Sequence, residues 1–198
     1  IDMKKLLTIL ILIFTFQTPS WADDIRDFQI EGMSIGDSLL DYMSKKEIKE
    51  NIIEQNYSDD KFKAVFLTSS HRLINSYDAI YINFKLGDKN FIIHSVSGII
   101  DFSNSIKKCK RKKDEIVEEI KSIFTNPIIK KDTVSHDGDK TGKSKVYRTS
   151  FAIVPSSKYL PIDIACFDWT KKMGYADHLR IGIKTDEYND WLHYEAYK

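Results

Sequence analysis

The stretch that decides the fold is residues 105–124, which read SIKKCKRKKDEIVEEIKSIF. Apolar residues recur along it at helical spacing and predict one long amphipathic helix: Ile106, Cys109, Ile116, Val117, Ile120, Ile123 and Phe124. Asn126 and Pro127 end this helix, because the residue before a proline is disfavoured in the helical conformation. One of the chain's two cysteines therefore lies on the helix face that packs against the core.

The second cysteine, Cys166, belongs to a strand predicted over about residues 160–170. It shares strand parity with Ile162 and Ile164, so its side chain points toward the same core. A helix packed on a sheet brings the two inward-pointing cysteines together, and we predict a disulfide between Cys109 and Cys166. Two alternatives stay open: a pair of buried free thiols, and a reactive thiolate at Cys109 that the flanking lysines stabilise.

The N-terminus predicts that the chain leaves the cytoplasm. Residues 3–22 combine two lysines, an apolar core and small residues before a cleavage point after Ala22, as in a secretory signal peptide. The apolar core is shorter than the roughly 20 residues that span a bilayer. We therefore predict a periplasmic or secreted chain of residues 23–198 without a membrane span. Removal of the first 22 residues leaves a net charge of zero, which argues against nucleic-acid binding.

Outside the long helix, three strands are predicted on each side of it, at about residues 61–68, 77–86 and 91–102, and then 145–154, 160–170 and 177–185. A second helix is predicted over residues 44–55, a mobile loop over 130–145 and a short last strand over 191–197. The pattern predicts a single α+β domain, with an antiparallel sheet and helices on one face. Its two α-β-β-β halves span about residues 31–102 and 103–198.

Residues 30–39, which read IEGMSIGDSL, resemble the opening of two secreted families. These are the small lipoproteins of outer-membrane β-barrel assembly and proteins with the β-lactamase-inhibitor-protein fold. The resemblance implies a helix followed by an antiparallel sheet of three or four strands. The chain lacks the lipoprotein cysteine and the usual Leu-Gly-x-Pro after the helix. The same stretch also resembles uncharacterised secreted bacterial proteins that begin with Gly-Met-Ser-Ile-Gly-Asp-Ser, and this likeness implies no activity.

Motifs of enzyme chemistry are missing from the sequence. Residues 137–144 come close to a phosphate-binding loop, but Asp137 stands where the first glycine is required. The five histidines form no HExxH pair, and no serine lies in a GxSxG context. We therefore predict no catalytic residue, no metal site and no cofactor, and favour a protein that is not an enzyme.

Two surfaces are candidates for binding. Tyrosine, tryptophan and arginine, the types enriched at protein interfaces, are predicted on the sheet face opposite the helices, together with neighbouring aromatic residues: Tyr77, Tyr81, Phe167, Trp169, His178 and Arg180. The alternatives are a second packed layer over that face, or the final segment around Trp191 folding over it. A basic run at the start of the long helix is a candidate for an anionic surface, or else a solvated helix face: Lys107, Lys108, Lys110, Arg111 and Lys112.

We consider three functions for this chain, in order of preference. The first is a periplasmic or secreted interaction protein that binds a protein partner through the open sheet face. The second is a small-molecule or lipid carrier with a pocket between helices and sheet. The third is a hydrolase without a recognisable motif.

Overall fold

The computed structural model describes residues 28–55, 57–103, 105–124, 126–136, 138–152, 161–196 and 198, so the predicted signal peptide lies outside the described residues. Eight strands form one antiparallel sheet in the order β1-β2-β3-β4-β8-β7-β6-β5. Their bounds are β1 Ile52–Ile53, β2 Phe62–Thr68, β3 Ala79–Lys85, β4 Ile93–Asp101, β5 Ile128–Ser135, β6 Lys145–Ala152, β7 Ile162–Asp168 and β8 His178–Lys184. Each half of the chain contributes a four-stranded meander, and the two meanders meet where β4 pairs with β8.

Three α-helices occur among the described residues: α1 Lys45–Glu50, α2 Ile106–Ile123 and α3 Asp186–Tyr194. Helix α2 packs on one face of the sheet, mainly against β7 and β8. Helix α3 packs on the opposite face, where its Trp191 contacts Phe62 of β2. No helix in the described part of the chain is long and apolar enough to cross a bilayer.

The prediction of an α+β fold with helices on one face and two α-β-β-β halves is wrong. Strands account for 38% of the structure and helices for 24%, so the fold is β-rich. The two longer helices lie on opposite faces of the sheet, and each half contributes four strands where three were predicted. The additional strands, β1 and β5, lie in segments that were predicted as helix and as loop.

The segment predicted as a helix over residues 44–55 divides into a short helix and an edge strand. Ser44 and Glu47 form the predicted capping box: Ser44 Oγ accepts from the Glu47 N–H, and Glu47 Oε2 accepts from the Ser44 N–H. The helix ends at Asn51 because the β-branched pair Ile52–Ile53 turns away and pairs with β2. The helix therefore ends before it completes two turns.

The segment predicted as a loop over residues 130–145 forms most of a β-hairpin. Strand β5 pairs with β6 along its whole length. Its charged residues were read as loop residues, but an edge strand that faces solvent tolerates charge on both faces. The end of the chain differs in the opposite sense, because residues 191–194 of the predicted final strand belong to α3. Thr185 caps this helix by accepting a hydrogen bond from the Tyr188 N–H.

The main core lies between α2 and the sheet. Val117, Ile120 and Phe124 of the α2 segment are buried against β-branched and aliphatic residues of the central strands. The predicted disulfide is confirmed: Cys109 of α2 is bonded to Cys166 of β7, with their Cα atoms 6.0 Å apart. Neither cysteine is free, so the reactive-thiolate alternative is excluded in this state.

Candidate functional site: an aromatic cluster on the sheet

The candidate site is a cluster on the sheet face opposite α2, here called the aromatic face and made of Tyr81, Phe167, Trp169, His178 and Arg180. Alternation along the strands puts them there, because their neighbours Ile80, Leu179 and Ile181 are buried in the core on the α2 side. All five side chains are partly exposed. The structure thus brings together five of the six residues predicted for this surface, whereas their role in binding stays a prediction.

Arg180 lies at the centre of the aromatic face. Its guanidinium carbon is 5.0 Å from the centroid of the Phe167 ring and 5.6 Å from that of Tyr81. Such distances allow attraction between the cation and the ring quadrupoles. His178 stacks on Phe167 with centroids 4.7 Å apart and an interplanar angle of 13°, and the Trp169 ring lies nearly parallel to Phe167 at 6.0 Å. The face therefore presents stacked rings around one fixed positive charge.

Three further residues that sequence reasoning missed extend this surface. The ring centroid of Phe66 in β2 lies 4.9 Å from that of Tyr81. The alternation of faces along β2 could have placed Phe66 on this side of the sheet. Tyr175, of which 60% is exposed, lies 4.8 Å from the Trp169 ring. His136 lies 4.3 Å from Trp169 and directly follows β5, so it could not have been placed without that strand.

Three polar atoms of the aromatic face are buried without a hydrogen bond to any residue that the structure describes. They are Trp169 Nε1, His178 Nε2 and Arg180 Nε. Burial lowers the pKa of His178 to about 4, so the ring is neutral at pH 7. Its Nδ1 lies 2.9 Å from the Ala176 carbonyl oxygen, which can only accept, so Nδ1 carries the proton and Nε2 is an acceptor. Two donors and one acceptor are thus unsatisfied within this face, and each such atom costs free energy.

Two loops hold the rings of this face in position. Asp139, in the turn between β5 and β6, accepts hydrogen bonds from the hydroxyl and N–H groups of Thr141 and Ser144, which holds the pKa of this carboxyl far below its usual range. This bonding orders the hairpin that brings His136 to Trp169. On the other side, Asp177 Oδ1 accepts from the Trp169 backbone N–H at 2.8 Å.

Tyr77 was predicted on this face but lies on the opposite one. A Cβ atom built on Gly98 would be only 2.3 Å from the Tyr77 ring, so the ring lies directly over this glycine. Gly98 pairs with Ile80 and Ile181, whose side chains face α2. Tyr77 precedes β3, so the alternation of that strand does not extend to it. The register of β3 and β4 is regular at Gly98 and shifts between Asn83 and Phe84.

The basic run of α2 does not form one surface. Lys110 places its Nζ 3.2 Å from the centroid of the Tyr147 ring, and Lys112 pairs with Glu115 at 3.4 Å. The exposed remainder, which makes no ion pair with another described residue, is Lys107, Lys108 and Arg111. Anion binding therefore stays a prediction, and these three side chains are the ones available for it.

A cleft of about 380 Å³ opens between α2, the sheet and residues 28–30. Apolar side chains dominate its lining, with Lys112 and Glu119 among the polar ones; the apolar set is Phe28, Ile30, Tyr77, Ile100, Ile116, Ile120 and Ile181. This is the location at which the sequence predicted a pocket for the carrier function. No group of three or more potential metal ligands occurs among the described residues.

The comparisons with known proteins find no relative. No protein-family model, no curated protein and no solved structure matches this chain. The function is therefore argued from the geometry alone, and the resemblance of residues 30–39 to secreted families stays a prediction.

Proposed function

We propose that this protein is a periplasmic or secreted binding module whose aromatic face contacts a protein partner. The observation that carries the proposal is a partly exposed group of stacked rings with three buried polar atoms that have no hydrogen-bond partner in the described part of the chain: Trp169 Nε1, His178 Nε2 and Arg180 Nε. Backbone amides of a partner offer both donors and acceptors, and they would satisfy these buried atoms once the rings that cover them move aside on binding. Tryptophan, tyrosine and arginine also dominate the binding energy at protein interfaces.

The cellular location rests on separate observations. The disulfide between Cys109 and Cys166 is typical of proteins that fold in an oxidising compartment. The predicted signal peptide leads to the same compartment. Together they favour the periplasm or the extracellular space as the place where the partner is met.

Site-directed photocrosslinking tests the proposal directly. A photoreactive amino acid replaces Tyr175 beside the aromatic face, and in a control it replaces Leu86, which is 57% exposed against 60% for Tyr175. We expect a defined crosslinked protein from position 175 only. The same product should be lost when Trp169→Ala is added. Equal crosslinking from both positions, or no effect of Trp169→Ala, would contradict a binding role for this face.

Affinity capture from the cell-envelope fraction gives a second test. We expect Trp169→Ala and Tyr81→Ala to reduce recovery of the crosslinked partner at least tenfold, since interface anchors contribute about 2 kcal/mol or more each. Tyr194→Ala is the matched control, because Tyr194 is an exposed aromatic residue of α3 outside the aromatic face. Equal recovery with all variants would remove this function.

The cleft beside α2 supports the carrier as a second candidate. An apolar lining with Lys112 among its polar side chains fits the chain and head group of a small amphiphile. We expect a fluorescent fatty acid to bind the wild type and to bind Ile116→Trp, which fills the cleft, at least tenfold more weakly. Trp169→Ala on the other face should bind the probe normally. Equal binding by Ile116→Trp would exclude the cleft as a carrier site.

A further inference from the structure

Strand β5 leaves one long edge of the sheet without a strand partner in the described part of the chain. Among the described strands it is the last in the order, and its one partner there is β6. The backbone N–H and C=O groups along its other side are therefore available to a further strand. Two apolar side chains of β5 are exposed as well, Ile128 by 54% and Val134 by 40%. An exposed edge of this kind can pair with a strand of another chain unless a further element covers it.

The side chains of β5 divide into two rows. Asp132 lies on the side of the aromatic face, where both its carboxylate oxygens accept from Arg148 at 3.1 and 2.7 Å. Alternation puts Ile128, Lys130 and Val134 in the same row, whereas Ile129 packs against the core on the α2 side. The exposed row therefore reads apolar, positive, negative, apolar.

This row is complementary to itself in one antiparallel register. A two-fold axis through Lys131, perpendicular to the sheet, places Ile128 opposite Val134 of a second copy and Lys130 opposite Asp132 of that copy. Directly opposite side chains in an antiparallel pair lie about 5 Å apart, so both the apolar and the charged pairs make contact. All four pairs in this row are then favourable.

The neighbouring registers are not complementary. A two-fold axis through Lys130 would place this lysine opposite Lys130 of the second copy. It would also place Ile128 opposite Asp132 of that copy. An axis through Asp132 sets two carboxylates against each other and places Val134 opposite Lys130. Like charges directly opposite are destabilising. The chosen register leaves only Lys131 facing its copy, and this exposed lysine extends into solvent, where salt screens the repulsion.

We propose that two copies of this chain associate through β5, in the register centred on Lys131, to form a continuous sheet of 16 strands. One strand pair buries less than the roughly 1,200 Å² of a standard interface, so the dimer forms and dissociates with protein concentration. This inference is independent of the aromatic face, which stays accessible in both copies.

Disulfide trapping tests the register. In Lys131→Cys the two new cysteines face each other with Cα atoms about 5 Å apart, within the range for a disulfide. In the control Thr133→Cys, which is also exposed, the two cysteines lie about 14 Å apart and cannot be bridged. We expect Lys131→Cys to become a covalent dimer under mild oxidation at high protein concentration, and Thr133→Cys to stay monomeric. Equal trapping of both variants, or of neither, would overturn the proposal.

Sedimentation equilibrium tests the association without a new cysteine. We expect the wild type to dimerise as its concentration rises, and Val134→Lys to weaken this dimer at least tenfold because it opposes Ile128 with a charge. Leu86→Lys, which changes an exposed apolar residue far along the chain from β5, should dimerise like the wild type. A wild type that stays monomeric up to millimolar concentration would overturn the proposal, as would a Val134→Lys dimer of unchanged strength.

Discussion

His178 is the residue in which the candidate site and the stability of the fold are most directly linked. Burial holds its pKa near 4 in the folded protein, against 6.5 for an unperturbed histidine. The neutral form is therefore favoured by folding, and this contribution to stability is complete above about pH 6.5 and is lost as the pH falls through 4. The histidine thus makes the aromatic face sensitive to acid.

The pH dependence of unfolding tests this. Between pH 7 and pH 4, we expect the free energy of unfolding of the wild type to fall by about 1–3 kcal/mol more than that of His178→Gln, which does not titrate. Urea titrations at several pH values measure the difference. Parallel pH profiles, or an NMR titration of His178 centred near 6.5, would show that the ring is not held neutral by burial.

A second prediction at the scale of residues concerns the contact between Gly98 and Tyr77. A methyl group at Gly98 would collide with the Tyr77 ring at 2.3 Å, so Gly98→Ala should destabilise the protein by about 1–3 kcal/mol, as overpacking does. The collision depends on the ring. In the background of Tyr77→Ala, the same Gly98→Ala change should cost less than about 0.5 kcal/mol in urea unfolding. An equal cost in both backgrounds would mean that the glycine is required for another reason.

Helix α3 shows how an element can be misread when its core is not local in sequence. Residues 191–197 were predicted as a short last strand, whereas the structure has a helix that begins after its N-cap Thr185 with the acidic residues Asp186 and Glu187. What stabilises the helix is its contact with Phe62, which comes about 130 residues earlier in the chain. The spacing of apolar residues within a short segment cannot reveal a contact with a residue so distant in the sequence.

Trp191 is the residue on which the packing of α3 depends. Its side chain is fully buried, and its Nε1 donates to Asp59 Oδ1 at 2.9 Å. We expect Trp191→Ala to lower the free energy of unfolding by about 3–5 kcal/mol. Tyr194→Ala, on the exposed side of the same helix, should change it by less than about 0.5 kcal/mol. A similar small effect of both would contradict the packing of α3 on the sheet.

At the scale of the whole molecule, the disulfide joins the second meander to the helix that covers the sheet. It links Cys109 and Cys166 across a separation of 57 residues, for which the chain-entropy model predicts about 4 kcal/mol of stabilisation. We expect the double variant Cys109→Ala, Cys166→Ala to lose about this much in urea unfolding. Thiol titration of the unfolded wild type should find no free thiol before reduction and two afterwards. Two thiols before reduction would contradict the disulfide.

Much of the fold followed from patterns within single elements. The amphipathic spacing of residues 105–124 predicted α2, and strand parity predicted the disulfide partner and the common face of Tyr81, Phe167, Trp169 and Arg180. These predictions succeed because helix and strand periodicity are local properties of the chain. The prediction for Tyr77 was wrong because Tyr77 precedes β3, and the alternation of faces along β3 does not extend to it.

The sequence by itself determined which side chains of each long element face the core, because burial selects apolar residues with the period of the element. Only the tertiary structure decided that polar residues 128–135 form an edge strand, that α3 packs on the face opposite α2, and that His136 and Tyr175 join the aromatic face. These features depend on pairing and packing between distant residues. A strand is stabilised by its neighbour in the sheet, and that neighbour is chosen by the fold as a whole.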